Sequence, residues 1–309
     1  MAVYDFCSFL NENDLYEIRL NEHWNFVDKF IVLESEETHT GLKKSLNFDH
    51  ERFKSYASKI EYRSFNNFKS AMDQYPHLNC EIVKRESINK MTCPDDWVRC
   101  YFQDNYIVEI LKDIGAKDDD LVYYSCCDEI ISEEAFLKAS EIFKDKVSVY
   151  DGYHGVTHSP YPNFGKIRPI VYFNLLYYTY KLNALRTFAS GTYKCSAMTE
   201  FSNFKKILPS TARALCVETH PCIMNAGWHF SYADNTDGDL IHQKLQSWAH
   251  SKDASGNGVR LCDLDKKDAV TRLFEDFNMS YPECVIPVSL DTHPKYLVDN
   301  QEKFKNYIL

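Results

Sequence analysis

The chain has 309 residues with 44% hydrophobic and 15% aromatic content, and its formal net charge is -10 at pH 7. A chain of this size and composition can bury a large core, so we expect one globular domain. Nucleic-acid binding needs clustered Lys and Arg, so the acidic composition argues against a nucleic-acid partner and favours neutral ligands such as sugars. The sequence contains no stretch of about 18 apolar residues, so no membrane span is predicted.

Eleven cysteines are scattered along the chain and form no CxxC pair. An odd number without the dense spacing of small secreted domains argues against a disulfide framework, and the missing CxxC pair argues against a structural zinc site. A predicted strand begins within a few residues of Met1, where a secretory signal would otherwise lie. We therefore expect a reducing compartment.

The first half of the chain alternates predicted strands and helices. A helix is predicted after Asn11 and Asp14, which can cap it, with Leu15, Ile18 and Phe26 on one face. The other elements predicted in this half include the strands Ala2–Phe9, Lys29–Glu34 and Ile60–Phe65, the helix Glu133–Phe143 and an extended segment over Val147–Tyr150. This alternation predicts βαβ units and a mainly parallel sheet.

The stretch Leu121–Ile130 is an apolar run that ends in two acids, Asp128 and Glu129. A helix is predicted before it over Asp95–Ile114, with Gly115 at the position of a C-cap. Open α/β sheets bind ligands in the crevice outside the carboxyl ends of their strands. We therefore expect ligand chemistry beside Asp128 and Glu129.

The second half of the chain is richer in aromatic residues. Tyr172–Tyr180 is dense in them, which is more typical of a core than of a sugar-binding surface. A helix is predicted over Asp239–His250 with Ile241, Leu245 and Trp248 facing inward. Together the elements predict an α/β fold with a Rossmann-like, mainly parallel central sheet flanked by helices.

Four blocks of the sequence, in the same order, resemble glycosyltransferase family 17, the family of the β-1,4-mannosyl-glycoprotein 4-β-N-acetylglucosaminyltransferase. They are the opening segment within residues 4–41, then Ser125–Ile130, Gly227–Tyr232 and Lys244–His250. The resemblance covers most of the chain. It implies a GT-A fold, a UDP-sugar donor with N-acetylglucosamine (GlcNAc) as its sugar, a divalent cation (Mn²⁺ or Mg²⁺) and inversion at the anomeric carbon.

The resemblance places the metal site at Ser125–Ile130, where the family has Ser-Asp-Val-Asp-Glu-Ile. Asp128 is the second acid of this DxD-like motif and the first choice as metal ligand, because Mn²⁺ and Mg²⁺ prefer oxygen ligands. A bound cation of this kind offsets the charge on a departing phosphate. Cys126 replaces the family's first Asp, and a neutral thiol is a poor ligand for Mg²⁺. Three outcomes are open, namely binding by Asp128 with the diphosphate and water, a preference for a softer metal, and loss of activity. Weakened but retained use of the metal is the favoured one. His250 is the second candidate ligand, although a His at a helix end also suits the helix dipole.

An inverting transfer also needs a base that takes the proton of the acceptor hydroxyl. Family members carry an acid shortly after the Gly-Trp-His-Phe-Ser-Tyr block, and the matching stretch here is Ala233–Asp239. Asp237 and Asp239 are therefore both candidates, and the sequence does not decide between them. Asp239 has a second interpretation, as the cap of the helix that it begins.

The residues that the resemblance places in the nucleotide-sugar site are Glu12, Glu34, Lys44, Arg99, Gln103 and Cys126. The alternative interpretation of Glu34 is a solvated residue at the end of a strand. The alternative interpretation of Lys44 is an ordinary surface lysine. Arg99 and Gln103 lie four positions apart on one helical face, and their alternative role is to brace the sheet. Trp228 and His229 are candidates for binding the acceptor or donor sugar, with a buried core pair as the alternative.

The sequence thus predicts a single GT-A-like catalytic domain over residues 1–309, with nucleotide-sugar binding in 1–150 and acceptor binding in 151–309. Its predicted function is metal-assisted, inverting transfer of a sugar from a UDP-sugar to a glycan hydroxyl. A catalytically impaired homologue that binds nucleotide sugar or glycan is the alternative, and Cys126 is the feature that indicates it. A GT-A nucleotidyltransferase is disfavoured because Phe6–Asn13 lacks the glycine-rich loop of that class.

The resemblance also bears on location. Animal members of the family are Golgi proteins with a membrane anchor, whereas this chain begins directly with the predicted catalytic domain. Met1 and the scattered cysteines favour a cytoplasmic enzyme of microbial or viral origin over a trimmed protein.

Overall fold

Strands and helices alternate through the first half of the chain, and strands dominate much of the second. The computed structural model describes residues 1–79, 94–144, 150–152, 165–187, 192–215, 220–249, 261–276 and 285–309. The strands in these ranges are β1 (Val3–Phe9), β2 (Lys29–Ser35), β3 (Ile60–Phe65), β4 (Leu121–Cys126), β5 (Glu129–Ile131), β6 (Tyr150–Gly152), β7 (Gly165–Ile167), β8 (Ile170–Thr179), β9 (Ala184–Arg186), β10 (Thr192–Glu200), β11 (Cys222–Ile223), β12 (Gly227–Ser231) and β13 (Val285–Pro287). The helices in the same ranges are α1 (Asn13–His23), α2 (Phe68–Gln74), α3 (Pro94–Asn105), α4 (Ile107–Asp113), α5 (Glu133–Lys144), α6 (Phe201–Phe204), α7 (Pro209–Leu215), α8 (Asp239–Ser247), α9 (Lys266–Asp276) and α10 (Lys295–Asp299).

A large sheet runs through the molecule in the order β13-β9-β8-β10-β4-β1-β2-β3, with β11, β12 and β5 joined to it off this path. β3, β2, β1 and β4 pair in parallel, as the βαβ alternation predicts. β10 is antiparallel to both β4 and β8, whereas β12 pairs in parallel with β8 and antiparallel with β5. The predicted α/β fold with a central sheet flanked by helices is confirmed, although parallel pairing prevails only in the first half. The GT-A type stays a prediction.

Alternate residues of the central strands face two separate apolar clusters. Phe6 and Leu33 pack on one side of the sheet with residues of α3 and α4. Cys7 and Val32 pack on the other side with residues of α1 and α5. Because both faces are covered, these strands are apolar without alternation, as expected for buried parallel strands.

The predicted strand Leu121–Ile130 is interrupted at the point where its acids lie. β4 ends at Cys126, residues 127–128 form a turn, and β5 then pairs antiparallel with β12. Asp128 therefore lies in a turn rather than on a strand.

Two predicted helices also differ in extent. The helix predicted over Asp95–Ile114 is divided at Tyr106 into α3 and α4, and Gly115, with φ +76°, follows the end of α4 as expected for a C-cap glycine. α8 ends at Ser247 because Trp248 is extended, so it is shorter than predicted. Ile241 and Leu245 of α8 are buried as predicted.

The described residues bear on two expectations from composition. Among them, no helix has the length and apolar character needed to cross a membrane. The cysteines described as free thiols are Cys7, Cys100, Cys126, Cys127, Cys222 and Cys262.

Candidate functional site

A cavity of about 370 Å³ opens at the carboxyl ends of the parallel strands. Ser8 of β1 and Cys126 of β4 line it where their strands end. α3, α7 and α8 contribute Asp104, Arg213 and Lys244 to its lining. This is the crevice in which α/β sheets bind ligands, and it is where the sequence predicts the site.

The turn between β4 and β5 is held by a buried arginine of α1. Arg19 donates to the carbonyl oxygens of Cys126 at 2.7 Å and Glu129 at 2.9 Å, and to Ser125 Oγ at 2.7 Å. Backbone carbonyls buried at a turn need such donors. Arg19 thereby fixes the position of Asp128, which lies between the two carbonyls that it binds.

Arg19 is itself held by an acid of β1. Asp5 accepts hydrogen bonds from Arg19 Nε at 3.1 Å and from His23 Nδ1 at 2.7 Å, and all three side chains are buried. Burial alone would raise the pKa of Asp5, but the charges of Arg19 and His23 lower it to about 2. The carboxylate is therefore ionised at neutral pH, which keeps the arginine oriented.

Asp128 meets two basic side chains inside the cavity. Lys244 Nζ lies 2.8 Å from Asp128 Oδ2, and His229 Nε2 lies 3.7 Å from Asp128 Oδ1. Burial would raise the pKa of Asp128, yet Lys244 and His229 hold it well below its ordinary value. The His229 ring stacks on Tyr177 with the ring centroids 4.7 Å apart. Asp128 is thus a buried anion with a fixed ammonium beside it.

Glu129 is engaged by a second fixed cation. Arg213 Nη2 lies 2.5 Å from Glu129 Oε1, and Arg213 Nη1 lies 3.2 Å from Glu129 Oε2. The backbone N–H of Cys126 also donates to Glu129 Oε2 at 3.1 Å. Arg213 Nη2 further lies 3.1 Å from Cys126 Sγ. Burial, with the charges of Glu129 and Asp128, raises the pKa of the Cys126 thiol despite Arg213, so it stays neutral.

Cys126, Asp128 and Glu129 are the group of described residues that brings potential metal-ligand atoms together, within 4.8 Å of one another. Mg²⁺ and Mn²⁺ prefer oxygen ligands. Here one donor is a neutral thiol, and both carboxylates are bound by Lys244 or Arg213. As arranged, this set does not fit a hard divalent cation.

His250, the second predicted metal ligand, lies outside the described residues. Its predicted role therefore stays a prediction, and so does the divalent cation.

Four of the predicted nucleotide-sugar residues, Glu12, Lys44, Gln103 and Cys126, line the cavity. Glu34 lies at the end of β2 but is fully buried. Its Oε1 accepts from Lys44 Nζ and from the backbone N–H of Asn47, both at 2.6 Å, and its Oε2 accepts from Tyr62 Oη at 3.0 Å. Glu34 thus holds the segment that carries Lys44, which places Lys44 at the edge of the cavity.

Arg99 and Gln103 both hold the loop that follows β2. Arg99 Nη1 donates to the carbonyl of His39 at 2.9 Å, and Gln103 Oε1 lies 2.8 Å from His39 Nε2. Burial lowers the pKa of His39 to about 4, so the ring is neutral and donates to Gln103. Thr40 Oγ1 donates to the carbonyl of Gln246 at 2.5 Å, which links the same loop to α8.

Asp237 and Asp239, the predicted bases, lie at the start of α8 and outside the cavity lining. Asp239 is exposed and pairs with Lys266 at 2.9 Å. Its alternative interpretation as the helix cap is wrong, because Asp234 Oδ2 accepts the backbone N–H of Ile241 at 3.1 Å in that role. The catalytic role of Asp237 or Asp239 stays a prediction.

Trp228 and His229 lie on opposite sides of β12. Trp228 packs in an apolar cluster with Ile130 and donates its indole N–H to the carbonyl of Thr292 at 2.9 Å. His229 lines the cavity, as does Tyr177 from the aromatic segment of β8. The alternation of side chains along a strand separates the two predicted residues.

Arg19, Arg213 and Lys244 are not among the site residues that the sequence predicts. Arg19 follows Leu15 by four positions and Lys244 follows Ile241 by three, so each lies on the inward face of its helix. A cation on an apolar helical face is a signal that could have identified both. Arg213 lies in α7, a helix that was not predicted.

Comparison with known proteins gives one family match. The model of glycosyltransferase family 17 matches residues 1–146, which include β1 to β5, Asp128 and Glu129. No curated protein matches this chain. Among solved structures, a crystal structure of a mycobacterial protein aligns with 97% of this chain and 88% of its own, at 11% sequence identity and a TM-score of 0.33. So distant a likeness carries no argument.

Proposed function

We propose that the cavity binds a nucleotide-sugar donor and that the protein transfers the sugar to a glycan hydroxyl, because the model of glycosyltransferase family 17 matches residues 1–146. The family supports glycosyltransferase activity in general. The observation that carries the finer proposal is the position of Asp128, Arg213 and Lys244 in one cavity at the carboxyl ends of the parallel strands. A volume of about 370 Å³ is in the range of small-molecule sites.

The charges of the cavity support a diphosphate as the part of the donor that is bound. Lys44, Arg213 and Lys244 all line it, and each is held in place by a buried acid. Cations that are oriented before the ligand arrives stabilise the charge that develops on a leaving phosphate without further reorganisation. UDP-GlcNAc as donor and inversion at the anomeric carbon are the finer parts of the proposal, and they rest on the sequence resemblance.

The proton of the acceptor hydroxyl goes to Asp237 or Asp239 in this proposal, as the sequence predicts. A separate comparison of Asp237→Asn and Asp239→Asn tests this part, with a loss of transfer in one of them as the expected result.

The test is an assay of nucleoside diphosphate release from a panel of nucleotide sugars, with a glycan acceptor and with Mn²⁺, Mg²⁺ or a chelator. We expect UDP-GlcNAc to give the highest release and Asp128→Ala to abolish it. Asp118→Ala, which changes an exposed acid paired with Lys205, serves as the matched control. Full turnover by Asp128→Ala, or no turnover of any donor by the native protein, would contradict the proposal.

A catalytically impaired binding homologue is the second candidate, because Cys126 replaces the family's first Asp. Binding of a nucleotide sugar without turnover under every condition of the panel would favour it. The predicted divalent cation is tested by the same panel through the comparison of Mn²⁺ with chelator.

A further inference from the structure

We propose that the ammonium group of Lys244 takes the place of a divalent cation and stabilises the departing diphosphate. This inference rests on the proposed function. It concerns the source of the positive charge at Asp128, for which the sequence predicts a metal ion.

Basic side chains already lie beside both carboxylate oxygens of Asp128. Lys244 Nζ lies 2.8 Å from Asp128 Oδ2 and His229 Nε2 lies 3.7 Å from Asp128 Oδ1, so a basic group faces each oxygen. A metal ion at Asp128 would have to displace Lys244 or lie beside its positive charge, which in a cavity of low dielectric is unfavourable. The ammonium group of Lys244 therefore already occupies the position that is predicted for the divalent cation.

The potential metal ligands next to Asp128 are also poorly suited to a divalent cation. Glu129 is bound by both terminal nitrogens of Arg213, and Cys126 Sγ lies 3.1 Å from Arg213 Nη2. A thiol where the family has an Asp removes one hard ligand, and the fork of Arg213 occupies the next carboxylate. Two fixed cations, Lys244 and Arg213, thus contact the carboxylates beside which the sequence predicts a metal ion.

Lys244 can bind a phosphate. An ammonium group has three N–H donors, and the described contacts use one of them, toward Asp128. The side chain of Lys244 lines the cavity and is 23% exposed, so its ammonium can be reached by a ligand.

The chemistry balances without a metal. The bond between the anomeric carbon of the donor and the diphosphate oxygen breaks, and its electron pair goes to that oxygen. The acceptor oxygen forms the new bond to the anomeric carbon, and its proton passes to the carboxylate of Asp237 or Asp239, the proposed bases. Lys244 offsets the additional negative charge through N–H donation and keeps its own protons.

The experiment compares nucleoside diphosphate release from UDP-GlcNAc by metal-free protein in excess EDTA with release in Mn²⁺. We expect native turnover to persist in EDTA and Lys244→Met in EDTA to lose about 100-fold, the order of loss seen when a preorganised donor is removed. Lys244→Ala opens the space beside Asp128, and we expect Mn²⁺ to restore part of its activity. Adding Cys126→Asp to Lys244→Ala supplies the missing carboxylate and should increase that rescue.

A binding measurement and a control accompany the assay. UDP affinity in EDTA, measured by calorimetry, should fall in Lys244→Met and remain unchanged in Lys295→Met, an exposed lysine paired with Asp299. Melting temperatures of both variants verify that they are folded.

The outcomes separate the two proposals. Native turnover that EDTA abolishes and Mn²⁺ restores would overturn the role of Lys244 and leave the glycosyltransferase function intact. Full turnover and full UDP affinity of Lys244→Met in EDTA would also overturn it. No turnover by the native protein under any condition would contradict the proposed function and the catalytic role of Lys244 with it.

Discussion

At the scale of single residues, the site depends on charges that are buried in pairs. Lys244 and Asp128 are 116 positions apart in the sequence, yet their charged atoms lie 2.8 Å apart. Removing one partner of a buried ion pair leaves the other charge buried alone and lowers the free energy of unfolding by about 3–5 kcal/mol. The acid of such a pair is predictable when it ends an apolar strand. Its partner is not, because only the tertiary fold brings α8 to β4.

Asp104 gives a pH-dependent prediction. Burial raises its pKa from 3.8 to about 6, although Arg213 acts in the opposite direction. A carboxyl that binds its proton more tightly in the folded state contributes stability below pH 3.8 and loses that contribution as the pH rises through about 6. Asp104→Asn should therefore gain about 1–2 kcal/mol over the native protein at pH 8 and nothing near pH 3, after allowing for partial exposure.

Urea unfolding at the two pH values measures this difference. Asp73→Asn, a substitution at an exposed position, is the control. An equal effect of Asp104→Asn at both pH values would show that the carboxyl is not perturbed by burial.

At the scale of elements, the turn between β4 and β5 depends on Arg19 of α1. Arg19→Met removes the donors that bind the carbonyls of Cys126 and Glu129 and leaves Asp5 buried without its main partner. We expect a loss of about 3–5 kcal/mol in the free energy of unfolding. Arg63→Met removes a more exposed cation paired with Glu61 and should cost about 1 kcal/mol or less. Urea unfolding of both variants tests the comparison, and similar small losses would refute the structural role of Arg19.

A second prediction for the same turn region concerns Gly227, which lies at the start of β12. Its φ is +148°, and a Cβ atom there would lie 2.1 Å from the backbone oxygen of Ile130. Gly227→Ala must therefore push β12 away from β5, next to Asp128. Gly115→Ala is the matched control, because φ is also positive there, at +76°, but the space is open.

We expect Gly115→Ala to cost about 1 kcal/mol from backbone strain alone and Gly227→Ala clearly more. Thermal unfolding of the two variants gives the comparison. Equal losses would mean that β12 and β5 can separate without cost.

The same elements explain which parts of the fold were predictable. β1, β2 and β4 are apolar on both faces and alternate with helices, so their parallel pairing follows from local pattern. The turn at residues 127–128 was not predictable because the long-range donor Arg19 determines it. The loop after β2 depends in the same way on Arg99 and Gln103 of α3, a contact that no local pattern contains.

At the scale of the whole molecule, the second half of the chain completes the site. β10 inserts antiparallel between β4 and β8, and β12 brings His229 next to the turn that the first half provides. The alternation of the first half predicts a mainly parallel sheet, but antiparallel pairing of later strands depends on which neighbours remain available. The cavity therefore combines residues of the region that matches the family with Arg213, His229 and Lys244, which lie beyond it.

This arrangement predicts that nucleotide binding stabilises the whole molecule. UDP at about 100 times its Kd should add about 2.7 kcal/mol to the free energy of unfolding and raise Tm by about 5 °C. Differential scanning fluorimetry with UDP measures the shift, and uridine without its phosphates is the control for the diphosphate contacts. Equal shifts with UDP and uridine would mean that the cations of the cavity do not bind the phosphates.

The most direct test of the account is a crystal structure of the protein with UDP, grown in the presence of EDTA. We expect nucleotide density in the cavity at the carboxyl ends of β1, β2 and β4, with a diphosphate oxygen within hydrogen-bond distance of Lys244 Nζ. Nucleotide bound elsewhere on the molecule, or a diphosphate in the cavity that does not contact Lys244, would contradict it.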